Sequence, residues 1–295
     1  MPNNLTPLIL ALIGGALYAL SAIFSKRALE TGAGTLRSLF WSNWAITLAF
    51  FPFPLLAGEN ISRAALLPGI FLGCIFFLAQ SASFMALRRG DASLVTSIMG
   101  SKSLFVAFSL VLLDFRDSLP AKIWIAASLA AIAVALLGWP AKGIKPSIAS
   151  LILASFTAAA FGFTDALVPH YAQTANPLNL LFVMTLTVGI LSITVIPFVR
   201  GRLFEWRGTP DRWMALGSTL VAIQAIIISF AIGFFNVPTE VNILYSSRGL
   251  WSILLVVWIG HRIGITEATI PRIVLMRRLI GATLLLTGIF LVPFQ

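Results

Sequence analysis

The sequence predicts an all-α integral membrane protein of ten transmembrane helices, built as two five-helix repeats that lie upside down relative to each other. Three observations carry that reading. The 295 residues are 59% hydrophobic and only 10% charged, with a mean hydropathy of +0.97, which leaves too little polar surface for a soluble chain of this size. Apolar runs of about 20 residues recur, long enough for a helix to cross a hydrocarbon core about 30 Å thick and unlike the alternating strands of about 9–11 residues that build a barrel. Finally, the stretch around Lys102 recurs around Arg248, 146 residues on, with Ser101, Lys102, Leu104 and Phe105 answered by Ser247, Arg248, Leu250 and Trp251.

Read between charged or Pro/Gly breaks, the spans are residues 6–28, 36–57, 66–87, 92–113 and 120–138 in the first half. In the second half they are 148–171, 178–199, 212–235, 239–260 and 273–293. Tight turns are expected at Arg88–Asp91 and at Asn236–Pro238. The repeats are taken as residues 1–143 and 144–295. Each half holds five spans, and an odd number forces sequence-similar halves into opposite orientations. Inverted repeats of this kind are built by secondary transporters, with the substrate site near the midplane between the halves. Ser83-Phe84 recurring as Ser229-Phe230, and Val111 as Val257, extend the repeat; Ile125, Ala127, Leu129 and Leu136 recur as Ile280, Ala282, Leu284 and Leu291 at the longer spacing of 155.

Charge sets the orientation. The odd-numbered connections carry 15 Lys and Arg residues and the even-numbered ones 3, namely Arg63, Arg116 and Lys122. The positive-inside rule therefore places the odd connections in the cytoplasm and both termini outside, in the cell's inner (plasma) membrane. The formal charge of +10 is spread singly and in pairs between apolar runs, so it is a topology signal and no nucleic acid is expected. Met1 to Thr6 lacks the basic start of a cleavable signal peptide, and the first apolar run is expected to be retained. The single cysteine, Cys74, lies in an apolar run and excludes a disulfide framework.

Lys102 and Arg248 each place a cation in mid-span. Lys102 is about ten residues, roughly 15 Å, from either end of its span, beyond the reach of a snorkelling lysine. A charge there costs roughly 2.5–3.5 kcal/mol on insertion scales and is kept facing a bundle interior or wet cavity. It holds a substrate, pairs with an internal acid, or bonds backbone carbonyls. Arg248 has the same alternatives, and its planar fork suits a carboxylate or phosphate. Asn242, Tyr245, Arg248 and Trp251 recur every third residue as a drifting stripe that can line a cavity, with Phe105 as the matching wall. Asp165 and Glu240 are candidates to pair with a central cation, carry a coupling proton, or meet interfacial water. Gln80 and Gln224 either bind substrate or join helices, and Tyr18 and Ser21 are possible pocket residues. Trp41, Asn43 and Trp44 read as an interfacial anchor.

Catalysis finds no support. His170 and His261 fall at span ends away from other ligands, so no metal site is expected. The chain has no Gly-x-Ser-x-Gly elbow and no phosphate-binding P-loop, so no catalytic residues and no cofactor are assigned.

Met85-Ala86-Leu87 followed by Ala92-Ser93-Leu94, Gly260-His261-Arg262-Ile263, and Leu279-Ile280-Gly281-Ala282 through Gly288 resemble the corresponding stretches of the drug/metabolite transporter superfamily, in particular its EamA-type members of two five-helix halves. The chain departs from that pattern at His261, where the family has Glu, around Asp114–Asp117, and at a family proline replaced near Lys102 and Ser103. Basic residues in the fourth and ninth helices also resemble those with which the superfamily's phosphate translocators hold anions. The resemblance implies a secondary transporter of a small organic anion or a carboxylate-bearing zwitterion, such as an amino acid or metabolite. Two rivals remain: an exporter of neutral or aromatic amino acids or drugs, and a non-transporting membrane scaffold or lipid-handling protein with no hydrated cavity around the two cations. The expected partners are a small-molecule substrate and the lipid bilayer, with a homodimer left open.

Overall fold

The computed structural model describes residues 5–90, 92–115, 119–138, 147–264 and 272–291, which are helical with no strand among them. The repeat boundary at 143–144, the charges Arg116, Asp117, Lys142 and Lys145, the turn residue Asp91 and the terminal Gln295 lie outside the described residues. The first half comprises α1 (Leu5–Glu30), α2 (Thr35–Phe50), α3 (Phe53–Ala57), α4 (Arg63–Arg89), α5 (Ala92–Met99), α6 (Lys102–Leu112) and α7 (Ala121–Gly138). The second comprises α8 (Ile148–Ala172), α9 (Pro177–Ile193), α10 (Thr209–Phe235), α11 (Pro238–Tyr245), α12 (Arg248–Ile263) and α13 (Arg272–Leu291).

Helix falls on every expected segment, but only six stretches among the described residues are long and apolar enough to span by themselves: Leu5–Glu30, Thr35–Ala57, Arg63–Arg89, Ile148–Ala172, Thr209–Phe235 and Pro238–Gly260. Lys102–Leu112, Ala121–Leu137 and Pro177–Ile193 are shorter apolar helices. The protein is multi-pass, and the lipid-facing side shows as exposed Leu67, Phe108, Ile152, Trp258 and Phe290.

Local chemistry sets the ends. Asn236 adopts the left-handed conformation at the C-terminus of α10 (φ 53°) and Pro238 opens α11, giving the tight turn expected there. Asn176 caps α9, its side chain accepting from the Leu178 amide at 2.9 Å ahead of Pro177. Lys26 of α1 donates to the Leu87 and Gly90 carbonyls at 3.0 and 2.9 Å, satisfying the last turn of α4.

The fourth and ninth segments correct the sequence reading, which has each as one continuous helix. Both break in the middle, at Gly100-Ser101 and at Ser246-Ser247. The ladder tightens there: the Ser101 amide bonds the Ile98 carbonyl and the Ser247 amide bonds Leu244, both at 3.0 Å, the i→i−3 pattern of a 3₁₀ turn. Serine favours this because its hydroxyl competes for backbone carbonyls; Ser101 Oγ donates to Ile98 at 2.7 Å and Ser246 Oγ to Asn242 at 2.8 Å. A hydropathy window is blind to such breaks because both halves remain apolar.

Packing follows a paired scheme. α1 lies along α10 as α4 lies along α8, and α2 packs on α10 as α4 packs on α9. α1 also meets α11 and α12, as α8 meets α5 and α6, while α5 contacts α12 and α6 contacts α11. The two broken rods therefore lie side by side and antiparallel. Glycine permits the closest approaches: a Cβ on Gly162 of α8 would stand 2.6 Å from the Phe105 Cβ and 3.0 Å from the Lys102 carbonyl. One on Gly15 of α1 would stand 3.0 Å from Ser247 Oγ and 3.3 Å from the Arg248 amide.

Arg37 is more than a loop charge. It is buried at the start of α2, forked onto both carboxylate oxygens of fully buried Asp211, and also donates to the carbonyls of Leu203 (3.0 Å) and Glu205 (2.5 Å). Trp41 donates to the Leu203 carbonyl at 3.3 Å, and Asn43 is buried and bonded to Ser192 at 2.8 Å. Arg37 and Trp41 thus clamp the α9–α10 connection against α2, while Asn43 ties α2 to α9.

Candidate functional site

The two helix breaks meet at the centre of the bundle. Ser246 Oγ donates to the Gly100 carbonyl at 2.9 Å, a contact between residues 146 apart in sequence. Each break puts its cation first in the following half-helix, Lys102 in α6 and Arg248 in α12. Both are buried, and their environments differ.

Lys102 is neutralised. Its Nζ lies 2.5 Å from Asp165 Oδ2, with side-chain exposures of 8% and 16%. Asn242 donates to the same oxygen at 2.9 Å while also donating to the Pro238 carbonyl at 2.8 Å. The tyrosine ring of Tyr245 lies 5.1 Å from the ammonium. Of the alternatives for this lysine, the internal acid is the one observed.

Arg248 has no acid. At 2% exposure it is the largest fully buried side chain. It donates to the Met99 carbonyl, and its guanidinium carbon lies 4.8 Å from the Tyr18 ring and 4.6 Å from the Tyr245 ring. These rings meet edge to face, with centroids 5.9 Å apart. Cation–π contacts of desolvated groups are worth about 2 kcal/mol, less than the several kcal/mol that burial of a cation costs. Arg248 Nε is buried without a hydrogen-bond partner. The described groups here thus carry two cations and one anion.

These side chains line a cavity of about 60 Å³ with Tyr18, Phe76, Gln80, Phe161, Gln224, Tyr245 and the apolar Val168, Met184 and Ile232. That volume holds a few waters and is well below the roughly 300 Å³ of a typical ligand site.

The sequence candidates sort accordingly. Lys102, Asp165, Arg248, Tyr245, Tyr18, Gln80 and Gln224 are brought together, with Asn242 bonded behind Asp165. Trp251 is a correction: it is 36% exposed and does not line the cavity, because a three-residue stripe drifts round the helix and the Ser246-Ser247 break interrupts it. Phe105 is a second correction; it packs on Gly162 of α8 and is not part of the wall. Phe161 takes that place, 6.0 Å from Lys102 Nζ. Glu240 lies in the first turn of α11, outside the cavity, with one buried oxygen unpartnered; among the described residues it neutralises neither cation. His170 stacks on Phe115, centroids 3.8 Å apart, and the side chain of His261 lies outside the described residues.

A signal that sequence reading missed points to Tyr18 and Asp165. Ala11, Gly15, Ala19 and Leu20 of α1 recur as Ala158, Gly162, Ala166 and Leu167 of α8, at a spacing of 147. At that spacing Tyr18 and Asp165 are equivalents, and each faces the repeat-related cation, Arg248 or Lys102.

Comparison with known proteins agrees with this architecture. Residues 5–139 match the EamA-like transporter family, part of the drug/metabolite transporter superfamily. The match covers the first half, while the sequence resemblance described above runs through both. A solved crystal structure of a protein superposes with a TM-score of 0.68, covering 97% of this chain and 94% of that one at 14% identity; at this identity the likeness shows the fold alone. A search of curated proteins gives no significant match.

Proposed function

We propose that the chain is a secondary transporter working by alternating access, and that Arg248 holds the carboxylate or other anionic group of a small organic anion or zwitterion. The family match supports a membrane transporter of the drug/metabolite type; the substrate class rests on one observation, the buried Arg248 with an unpartnered Nε and no acid paired with it among the described residues. An anionic substrate completes the charge balance of the cavity. Lys102 and Asp165 act as an internal pair beside it, and in a zwitterion the ammonium faces Asp165. The paired packing of α1 on α10 and α4 on α8, and the antiparallel contact of the two broken rods, support two inverted five-helix repeats meeting at this site. The same symmetry supports taking residues 1–143 and 144–295 as the two repeats.

A second reading has its own observation. Lys102 is internally neutralised and the walls are aromatic and apolar, as an exporter of neutral or aromatic amino acids or drugs requires. The scaffold reading predicts no cavity around the cations and is the less supported. Substrate candidates identified by thermal stabilisation of the purified protein are then measured against Arg248→Gln and Arg248→Lys. Gln should weaken binding of an anionic ligand by about 1.5–3 kcal/mol, the value of a hydrogen bond to a charged group, roughly 10- to 150-fold. Lys should be intermediate because it keeps the charge and loses the fork. Unchanged affinity in a folded Arg248→Gln protein rejects the anion site in favour of the neutral-substrate reading.

A further inference from the structure

Two further spaces lie along α1 and α4 from the central cavity. Next to it, and sharing Tyr18, Gln80 and Val221 with it, lies a gap of about 20 Å³ lined by the hydroxyls of Ser21, Ser25, Ser42 and Ser83. Lys26 and Arg88, next in sequence to Ser25 and Leu87 of that gap, line a cleft of about 520 Å³ together with Arg37, Arg200 and Glu30. Along α1 the series descends from Tyr18 through Ser21 and Ser25 to Lys26 and Glu30, and along α4 from Gln80 through Ser83 to Arg88. It therefore ends on the cation-rich face. Volume alone separates the roles: about 20 Å³ admits a single water, whereas about 520 Å³ is within the range of ligand sites.

We infer that the outer cleft is a collecting site for small soluble anions, carboxylates or phosphates, and that the serine-lined gap is the route from it to Arg248. The cleft's charges favour this. Arg37 is committed to Asp211 and Lys26 to the end of α4, but Arg88 and Arg200 are exposed and form no ion pair among the described residues. Lys26, Arg37, Arg88 and Arg200 outnumber the single acid Glu30 in the cleft wall, and a cleft with such an excess of one sign raises the local concentration of its counter-ion by about tenfold or more. Hydroxyls suit the narrow part because they replace hydration without holding an anion as a fixed cation would. The route is shut here by defined bonds. Lys26 ties α1 to α4 across its mouth, Ser21 Oγ donates to the Gly217 carbonyl at 2.8 Å, and the Ser42 and Ser218 hydroxyls are 3.0 Å apart. Opening requires that the Lys26 strap release. The inference rests on the transporter reading, though not on the role of Arg248.

The test uses the full chain in vesicles, with Cys74→Ala removing the native thiol and a single cysteine introduced by Ser25→Cys or, separately, Ser83→Cys. Each is reacted with the anionic sulfonatoethyl and the cationic trimethylammonioethyl methanethiosulfonates, applied to one face at a time, with rates normalised to free cysteine. Both positions should react from the cation-rich face, the anionic reagent about tenfold faster, and Arg88→Gln with Arg200→Gln should reduce that preference to within twofold. Reaction from the opposite face alone, absence of charge preference, or a preference that survives loss of both arginines overturns the proposal. A parallel arm compares neutral phosphatidylcholine vesicles with vesicles containing phosphatidylglycerol. Block of labelling by the anionic lipid alone would assign the cleft to a headgroup and overturn the soluble-anion route. The two readings fail separately: ligand affinity in Arg248→Gln tests the central anion site, whereas the charge preference of labelling at Ser25→Cys and Ser83→Cys tests the route.

Discussion

Removing the acid from the central cluster should be far more damaging than removing the uncompensated cation. Asp165→Asn keeps the shape of the side chain and deletes its charge, leaving Lys102 and Arg248 buried together with no anion among the lining groups. Two charges 2.5 Å apart attract by roughly 7 kcal/mol at an effective dielectric of about 20, and breaking a buried pair by removing one partner costs about 3–5 kcal/mol net. At about 2–4 °C per kcal/mol for chains somewhat smaller than this one, the melting temperature in detergent should fall by roughly 6–20 °C. Lys102→Gln should cost a similar amount, because Asp165 then keeps only Asn242. The double variant Lys102→Gln/Asp165→Asn should recover most of the loss, since two neutral amides can bond each other. Arg248→Gln removes an unneutralised cation and should leave the melting temperature unchanged or raised. The assay is thermal unfolding of the four variants and the unsubstituted protein at one pH and salt, with the Lys102 and Asp165 variants read as a double-mutant cycle. A double variant no more stable than either single, or an Arg248→Gln loss as large as that of Asp165→Asn, would refute the assignment of Lys102 as paired and Arg248 as free.

Three further outcomes are expected. Gly162→Val places atoms into Phe105 and the Lys102 carbonyl and should destabilise by about 1–3 kcal/mol as overpacking, whereas a substitution at Gly233, whose Cβ would have its nearest neighbours at 3.8 Å, should have little steric effect; thermal unfolding compares them. Asp211→Asn breaks the buried pair that holds residues 199–208 and should cost about 3–5 kcal/mol, seen as early tryptic cleavage at Arg202 or Arg207 while the other connections stay resistant. The positive-inside rule expects the cation-rich connections in the cytoplasm, so a periplasmic phosphatase fused after Gln295 should be active and a cytoplasmic fluorophore there dark; the reverse result inverts the topology.

Class and helix positions were legible because hydropathy is a local, repeated property, and the cations were legible because a charge is conspicuous in an apolar run. What the sequence hid is pairing. Nothing near Lys102 announces that Asp165, 63 residues on, neutralises it, and nothing near Arg37 announces Asp211. These partnerships are fixed by which helices pack together, and that depends on small side chains such as Gly15 and Gly162 permitting close approach. The stripe ending at Trp251 failed for a geometric reason, the accumulated rotation of a three-residue repeat. The helix breaks failed for an energetic one: a few serine hydroxyls outweigh helix propensity at two sites without altering the mean polarity of either span.

The bond from Ser246 to the Gly100 carbonyl has one more consequence. The two residues are 146 apart, so they are each other's counterparts in the proposed repeat, and glycine has no hydroxyl with which to return the bond. Arg248 likewise reaches the Met99 carbonyl while Lys102 turns to Asp165 instead. If the halves exchange conformations to face the two sides of the membrane in turn, the mirror-image state lacks these links and must be built from different ones. The two facing states then differ in energy even without substrate or gradient. In that case the empty protein has a resting side, set by the Ser246 and Arg248 bonds that the other half does not return.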